Sequence, residues 1–469
     1  MASVKQRIYW KAPSFVKDWM AWWSAWQFDR QRHGRDYHRV LEQIFRRDRW
    51  SAEQFRQYQD EQLVELVRRA ARHVPHYRRS LGEAGVEAER FGGLEDLPRL
   101  PILDKGVVRS DPMSLVDERL DRRRLIEAHT SGTTGTPLIL YRDVWLNSAA
   151  FAYVDGRCRD ASTRRCRMRR RQNASVTIGG ILVAAPNRTK PPFWVHNRRW
   201  RHLYMSSYHL SPRYLGHYVE RMRRFGGEFI EGYPSSLYAV ARHILDNNLP
   251  TVPFRAAFTT AETLFEHMRE AIAKAFTCRV YDQYGAVEMC VLAAECERGS
   301  MHLSPDYGIV EVLDESNRPL PPGRDGQLVC TSLVNRVQPF IRYPLGDTGS
   351  LAPGGCACGS ALPVLGELLG RTDSVLITRD GRRIGRLSPV FKGADNIAEA
   401  QVVQDDFDSF RIRVVPGPGY SDSDGRAIVA ALAQRVGRAD IRVELVDRIE
   451  RTAAGKFEAV VCNLPPQKR

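Results

Sequence analysis

Apolar residues recur at helical spacing through residues 10–73, first in WKAPSFVKDWMAWWSAWQFDR and again in SAEQFRQYQDEQLVELVRRAARHV. The pattern predicts a helical lead. Ser51 stands where an N-cap would, with Gln54 at the position that closes a capping box. Trp19, Trp22, Trp23 and Trp26 share the same spacing. From Ser175 the period changes. Short β-prone runs (SVTIGGILVAAP, GEFIEGYP, FRAAFTTAE, TCRVYDQYG) alternate with helical RYLGHYVERMRRF and LYAVARHILDN. That alternation predicts α/β layering. Between Gly308 and Tyr343 the runs GIVEVLD, GQLVCTSL and FIRYP are separated by turns such as PLPPGRDG, as in a β-meander or small barrel. A last unit opens near Thr372, with strands around AQVVQ, FRIRVVP and RVELVD and a helix around GRAIVAALAQRV. It reads as a small α+β domain. The expected organisation is a helical lead over 1–90, a large domain over 91–371 and a small domain over 372–469. The fold class expected is α/β, with a large multi-layer N-terminal domain.

Composition narrows the class. The chain has 469 residues, 43% of them hydrophobic, enough for large cores. No run approaches the roughly 18 apolar residues of a membrane-spanning helix. The opening MASVKQRIYWKAPSF lacks the apolar core of a secretory signal. Nine scattered Cys are too sparse for a disulfide scaffold, and the expectation is a cytoplasmic protein with reduced thiols. The net charge of +15 permits attraction to nucleotides, nucleic acid or anionic lipid without choosing among them. The densest basic run, RCRDASTRRCRMRRR over 157–171, lacks the aromatic interleaving of single-strand binders, so a solvated face is expected and no nucleic-acid partner. The tryptophan helix has two readings: an interfacial membrane helix, or a helix packed on the body of the protein.

Several short motifs could carry chemistry. Residues 130–142 read TSGTTGTPLILYR. Such a loop can wrap phosphate oxygens with backbone N–H and hydroxyl donors, yet it holds no Lys of the kind found in G-x-x-x-x-G-K-[ST] loops. GYP at 232–234, YGAVE at 284–288, YPLGD at 343–347, GRTD at 370–373 and RTAAGK at 451–456 are each weak alone. Cys296, His302, Cys356 and Cys358 form C-x5-H…C-x-C, a thiolate and imidazole set that suits tetrahedral Zn2+.

The order of these motifs resembles the acyl-adenylate-forming superfamily of acyl-CoA synthetases, adenylation domains and luciferases. It is most similar to the branch of phenylacetate–coenzyme A ligases and capsular-polysaccharide-type ligase-like proteins. The likeness covers nearly the whole chain, including HVPHYRR, LEDLPRLPIL, PPFWVHN, GYPSSL and SPDYGIVEV. It implies a two-step reaction: a carboxylate attacks the α-phosphate of ATP, pyrophosphate leaves, and a nucleophile, usually coenzyme A, then displaces AMP. It also implies a small C-terminal domain that rotates between the steps.

The resemblance assigns roles by position. Thr130, Ser131, Gly132, Thr133, Thr134, Gly135 and Thr136 would cradle the phosphates. Ala261 and Glu262 align with the segment beside the adenine, as do Tyr284 and Gly285. Glu288 would be linked to Mg2+, a hard cation suited to oxygen ligands. Asp347 would accept from the ribose hydroxyls, and Arg371 would contact ribose or phosphate. Asp373 occupies the hinge position. Lys456 would be the catalytic Lys, bridging carboxylate and α-phosphate as charge builds between them. Phe193, Trp194, Tyr208 and Tyr233 fall where the acyl pocket is built, and core packing is an equal reading for each. Three departures stand out: Thr136-Pro137-Leu138 where a Lys is often found, Val287 where a Thr often donates to the AMP phosphate, and Arg451-Thr452 without the Pro that often precedes the last motif. Some phenylacetate-ligase-like proteins carry a similar Cys/His set, which implies a structural zinc. The implied substrates are ATP and a small carboxylate, with an aromatic acid as one candidate. The acceptor stays open between coenzyme A, an amine and a hydroxyl. Two other readings remain at this point: a nucleotide-binding relative with weak or no ligase activity, and a basic binder of nucleic acid or membrane surfaces.

Overall fold

A computed structural model describes residues 9–10, 12–130, 138–160, 173–185, 188–371, 376–379, 383–384, 390, 396–452 and 457–464. The chain divides into two compact units. One comprises Met1–Trp26, Arg169–Tyr281 and Leu369–Arg469, and the other Gln27–Met168 and Asp282–Leu368.

The first unit is α/β. Strands Ser175–Gly179, His202–Ser206, Phe229–Gly232 and Ala256–Thr260 run parallel, with Trp194–Asn197 antiparallel at the edge against His202–Ser206. Their short apolar runs suit a sheet covered on both faces. Helices Pro212–Phe225, Pro234–Asp246 and Glu266–Phe276 supply the cover, through Tyr218, Met222, Leu237, Ile244 and Ile272. Each of the first two opens on a proline at its first turn, where a missing N–H costs nothing. Gly232, in GYP, is a forced choice: a Cβ there would meet the Ile178 carbonyl oxygen at 2.3 Å. The C-terminal part of this unit is a four-stranded sheet in the order Asp440–Leu445, Ser409–Pro416, Ile397–Asp406, Val460–Cys462, covered by helix Asp422–Val436. It is a smaller, β-rich C-terminal domain, with the strands and helix expected from AQVVQ, FRIRVVP, RVELVD and GRAIVAALAQRV.

The second unit pairs helices Arg35–Arg47, Ala52–His73 and Pro75–Glu83 with antiparallel strands. The capping box forms as expected: Gln54 N–H donates to Ser51 Oγ at 3.2 Å and Ser51 N–H to Gln54 Oε1 at 2.9 Å. The predicted meander runs as Gly308–Leu313, Gly326–Ser332 and Tyr343–Leu351. FIRYP does not extend the last strand as read from the sequence. Arg342 adopts a left-handed φ of 48°, and the strand starts only at Tyr343. At this residue the side chain is buried and fully paired: Arg342 meets both Glu311 carboxylate oxygens at 3.0 Å and donates to the carbonyls of Pro98 and Leu100 at 2.9 and 2.7 Å.

The basic run also needs a correction. Its first residue, Arg157, is 3% exposed rather than solvated. It pairs with Asp48 and, at 3.1 Å, with Asp306. A buried charge is tolerated only when so paired. Residues 161–172 lie outside the described residues.

Candidate active site

Two paired strands flank the glycine- and hydroxyl-rich segment in the sequence. Strands Ile126–His129 and Ile139–Arg142 pair antiparallel, with His129 opposite Ile139 and Ile126 opposite Arg142. Thr130 closes the neck: its N–H donates to the Leu138 carbonyl at 3.1 Å, and the Leu138 N–H donates to Thr130 Oγ1 at 2.9 Å. Ser131, Gly132, Thr133, Thr134, Gly135 and Thr136 lie outside the described residues.

Tyr284, on strand Arg279–Gly285, belongs to the same unit, and its hydroxyl donates to Asp347 Oδ2 at 2.7 Å. Burial, then the Asp347 charge, pushes the Tyr284 phenol far above its ordinary value, so it stays protonated and remains a donor. The structure thus joins YGAVE to YPLGD directly. Glu288 is fixed in the same way. Its Oε1 accepts from the Tyr343 hydroxyl at 3.3 Å, and its backbone carbonyl from Asn335 Nδ2 at 3.4 Å. After it the chain turns sharply, Met289 having a φ of 57°. Lys105 Nζ donates to the Leu345 carbonyl at 2.8 Å, and the buried Arg342 holds the start of the same segment. These contacts set where Asp347 stands.

Arg142 was not foreseen as a site residue. It ends the return strand of the hairpin, and its guanidinium donates to the Val287 carbonyl, one residue before Glu288. Its other N–H groups meet no partner among the described residues. Burial pulls it below the usual guanidinium value, while Tyr307 and Glu288 act in the opposite sense. Val287 is 39% exposed, so the position of the missing Thr is open to solvent.

The first unit carries the remaining expected residues. Ala261 is exposed and holds a φ of 71°, a left-handed conformation that costs a residue with a Cβ about 1–2 kcal/mol. Glu262 follows it, half-buried. Its carboxylate accepts from the Ser235 N–H at 3.1 Å, in the first turn of helix Pro234–Asp246, and from the Phe457 N–H at 2.5 Å. Burial raises its pKa, against these two donors and Arg451. Tyr233 caps that helix, near both Glu262 and Tyr208. Tyr208 is half-buried, and Trp194 packs edge-on to Tyr218 at 5.9 Å. Phe193 is wholly buried and stacks on His209 at 4.3 Å, so it belongs to the core. Arg371 ends strand Val364–Arg371. Asp373 and Lys456 lie outside the described residues. The residues beside Lys456 are anchored within this unit: Arg451 pairs with Glu399, and its guanidinium lies 4.9 Å from the Phe457 ring centroid.

The four Cys and His residues do converge. Their ligand atoms all lie within 4.8 Å of one another. Cys296 Sγ is 3.7 Å from Cys356 Sγ, and Cys358 Sγ is 3.4 Å from His302 Nε2. Zinc bonds of about 2.3 Å to sulfur and about 2.0–2.1 Å to nitrogen give tetrahedral edges of about 3.8 and 3.6 Å, close to these spacings. His302 directs Nδ1 at the Leu362 carbonyl, 3.1 Å away, which orients Nε2 toward the thiols. Backbone N–H groups of Arg298 and Cys358 point at Cys296 and Cys356 sulfurs, at 3.3 and 3.4 Å. The set fits a zinc ion, and four protein ligands would leave no open position for catalysis.

Known proteins resemble this chain in sequence and fold. A family profile for the CapK C-terminal domain matches residues 376–463. Protein CapK of Staphylococcus aureus is 26% identical over 387 residues, covering 79% of this chain and 81% of that one. A phenylacetate–coenzyme A ligase of Thermus thermophilus is 30% identical over 339 residues, 70% of this chain and 72% of that protein. The chain belongs to the phenylacetate–coenzyme A ligase branch of the acyl-adenylate-forming superfamily. It is therefore an ATP-dependent, AMP-forming carboxylate ligase, with the ATP and Mg2+ use typical of that superfamily. The fold agrees. The 2-hydroxyisobutyryl-CoA ligase bound to 2-HIB-AMP in its postadenylation state aligns with a TM-score of 0.69 at 20% identity, covering 89% of this chain and 91% of that one.

Proposed function

We propose that this ligase activates a small carboxylic acid, an aromatic one among the candidates, as acyl-AMP. The acyl group then passes to coenzyme A, or to an amine or hydroxyl acceptor in natural-product or cell-surface polysaccharide assembly. In the first step a carboxylate oxygen bonds to the α-phosphorus, and the bond to the leaving pyrophosphate oxygen breaks. In the second the acceptor attacks the acyl carbon and AMP leaves. One observation carries the reading. Two motifs that are weak alone are joined by two hydrogen bonds in a chain of this family: Tyr284 of YGAVE bonds Asp347 of YPLGD, and Glu288 of YGAVE bonds Tyr343 of YPLGD.

In this proposal Asp347 accepts from the ribose, held ready by Tyr284. Glu288 would hold Mg2+, which would neutralise charge on the phosphates. The loop from Thr130 to Thr136 grips the polyphosphate, and Arg371 contacts ribose or phosphate. Ala261 and Glu262 border the adenine, and Trp194, Tyr208 and Tyr233 the acyl group. Lys456 stabilises the transition state. Residues 372–469 act as the small domain, turning about Asp373 between half-reactions. Arg142 is added as a phosphate contact. It supplies fixed positive charge beside Glu288, where the loop has no Lys and Val287 has no hydroxyl. The Cys296, His302, Cys356 and Cys358 set holds a structural Zn2+. The reaction takes place in the cytoplasm; no helix among the described residues is long and apolar enough to cross a membrane.

The test is ATP–pyrophosphate exchange against a panel of carboxylic acids, for the wild type and Lys456→Ala. Acid-dependent exchange is expected, with a fall of roughly two to four orders of magnitude in the variant. Exchange unaffected by the substitution would remove the role of Lys456. Nucleotide binding with no exchange for any acid would instead identify a non-catalytic relative.

A further inference from the structure

The N-terminal helix Ser14–Arg32 has two faces of opposite character. One is tied to the first unit. Asp18 Oδ1 accepts from the His196 N–H at 2.9 Å, and the Ala21 carbonyl accepts from Asn197 Nδ2 at 3.3 Å. Just before the helix, Trp10 Nε1 donates to the Leu182 carbonyl at 3.2 Å, and Lys17 is buried with its ammonium over the Tyr9 ring. The other face is an aromatic ladder in solvent. Phe15, Trp19, Trp22, Trp23 and Trp26 are 73, 59, 39, 44 and 51% exposed. Trp19 stacks on Trp23 with ring centroids 6.0 Å apart, and Trp23 on Trp26 at 5.4 Å. Four of the chain's nine Trp therefore stand on one outward stripe.

Scattered exposed apolar residues need no explanation, but a contiguous stripe of this kind marks a contact surface. The charge around it indicates which contact. The groups that act electrostatically on the helix and on its anchor His196 are Arg188, Arg198 and Arg221, with Arg224 beside Arg221. Against them stand Asp18 from the helix and Glu220, which pairs with Arg224 at 2.6 Å. Among the described residues, the charges along the anchored edge of the helix are thus net positive. A second copy of the chain is a poor occupant, because a two-fold contact sets the same patch against itself and would bring these Arg residues face to face. Indole rings favour the boundary between headgroups and acyl chains, and Arg favours anionic headgroups.

We propose that the helix Ser14–Arg32 docks the enzyme on an anionic lipid bilayer. It lies in the plane of the membrane, with Phe15, Trp19, Trp22, Trp23 and Trp26 in the headgroup–acyl boundary and Arg188, Arg198 and Arg221 over the anionic headgroups. It does not span the membrane. The ligase active site is not needed for this binding, so the two proposals fail independently.

The experiment is sedimentation of the full-length protein with vesicles of phosphatidylcholine alone or mixed with phosphatidylglycerol, at low and high salt. Binding to the anionic vesicles is expected, at least about tenfold weaker on neutral ones and weakened by salt, as charge-assisted interfacial binding requires. Tryptophan emission should shift to the blue on binding. The triple variant Trp19→Ala, Trp23→Ala, Trp26→Ala should lose at least about tenfold in partitioning while keeping the wild-type melting midpoint, because these rings are exposed in the free protein. If that variant melts early, Arg198→Glu with Arg221→Glu carries the test and should weaken binding to anionic vesicles only. Three results would overturn the proposal: no binding to anionic vesicles at low salt, equal binding by the triple variant, or a dimer that the triple variant abolishes.

Discussion

Replacing Arg142 with Gln separates a nucleotide-contacting role from a structural one. Gln keeps a polar, uncharged side chain but is two bonds too short to replace Nη2, so water takes over the Val287 carbonyl. What it removes is the positive charge beside Glu288. A charge-assisted hydrogen bond to phosphate is worth about 1.5–3 kcal/mol, which corresponds to a loss of roughly 10- to 150-fold. Stability should change little, because Val287 is 39% exposed and water can take up its carbonyl. The loss should fall on the KM for ATP, or on kcat/KM when the contact tightens in the transition state, and little on the KM for the acid. Arg142→Lys should recover part of it, since a Lys keeps the charge but not the fork. The Mg2+ dependence provides a second readout. With Arg142 gone, Glu288 has less positive charge nearby, so half-maximal activity should need less Mg2+. The assay is steady-state ATP–pyrophosphate exchange with each substrate varied in turn. A variant within about twofold of wild type in every constant would refute the assignment. So would equal losses for ATP and acid with an unchanged Mg2+ requirement, since that pattern marks general distortion.

Three further outcomes follow from the structure. Purified protein should carry about one zinc per chain, and Cys356→Ser should lower both the metal content and the melting midpoint; less than about one-tenth of a zinc per chain would remove the site. Arg342→Met should cost about 3–5 kcal/mol in urea unfolding, because it leaves the buried Glu311 carboxylate unpaired, and a loss below about 1 kcal/mol would show that water relaxes the site. Asp117 sets an acid limit. Burial would raise its pKa, but donors from Arg119 and Arg69 hold it down to about 2, against an ordinary 3.8. A depressed carboxylate stabilises the fold above its unfolded value and loses that contribution as pH falls through the folded one. About 1–2 kcal/mol should therefore disappear between pH values of about 4 and 2, and Asp117→Asn should flatten that part of the stability profile.

What the sequence made legible was local. Strand and helix periods report on faces, so the parallel strands, the meander and the capping box could be read from residues a few places apart. The Cys and His set was legible for a chemical reason, since few other roles need four such ligands. The ionic contacts were not. The chain has 70 Lys and Arg, and no local pattern separates Arg142, Arg157 and Arg342 from those in water. Their partners lie far along the chain: Arg142 reaches the carbonyl of Val287, and Arg157 reaches Asp306. The same distance hides the Phe457 N–H that meets Glu262. One signal for Arg142 was nevertheless present. A hydroxyl-rich loop followed by an apolar β-prone run implies a return strand, and Arg142 is the first charge on it. A phosphate loop without its own Lys leaves a charge deficit that another part of the fold must meet. The resemblance brings Lys456 to the α-phosphate and Arg371 to ribose or phosphate, both from outside the hairpin. A lysine near the end of the chain and an arginine built into the loop's own hairpin divide it differently. The arginine can hold the phosphates in the ground state, which leaves the lysine's charge for the transition state. The division makes opposite kinetic demands: losing Arg142 should show mainly in the KM for ATP, and losing Lys456 mainly in kcat.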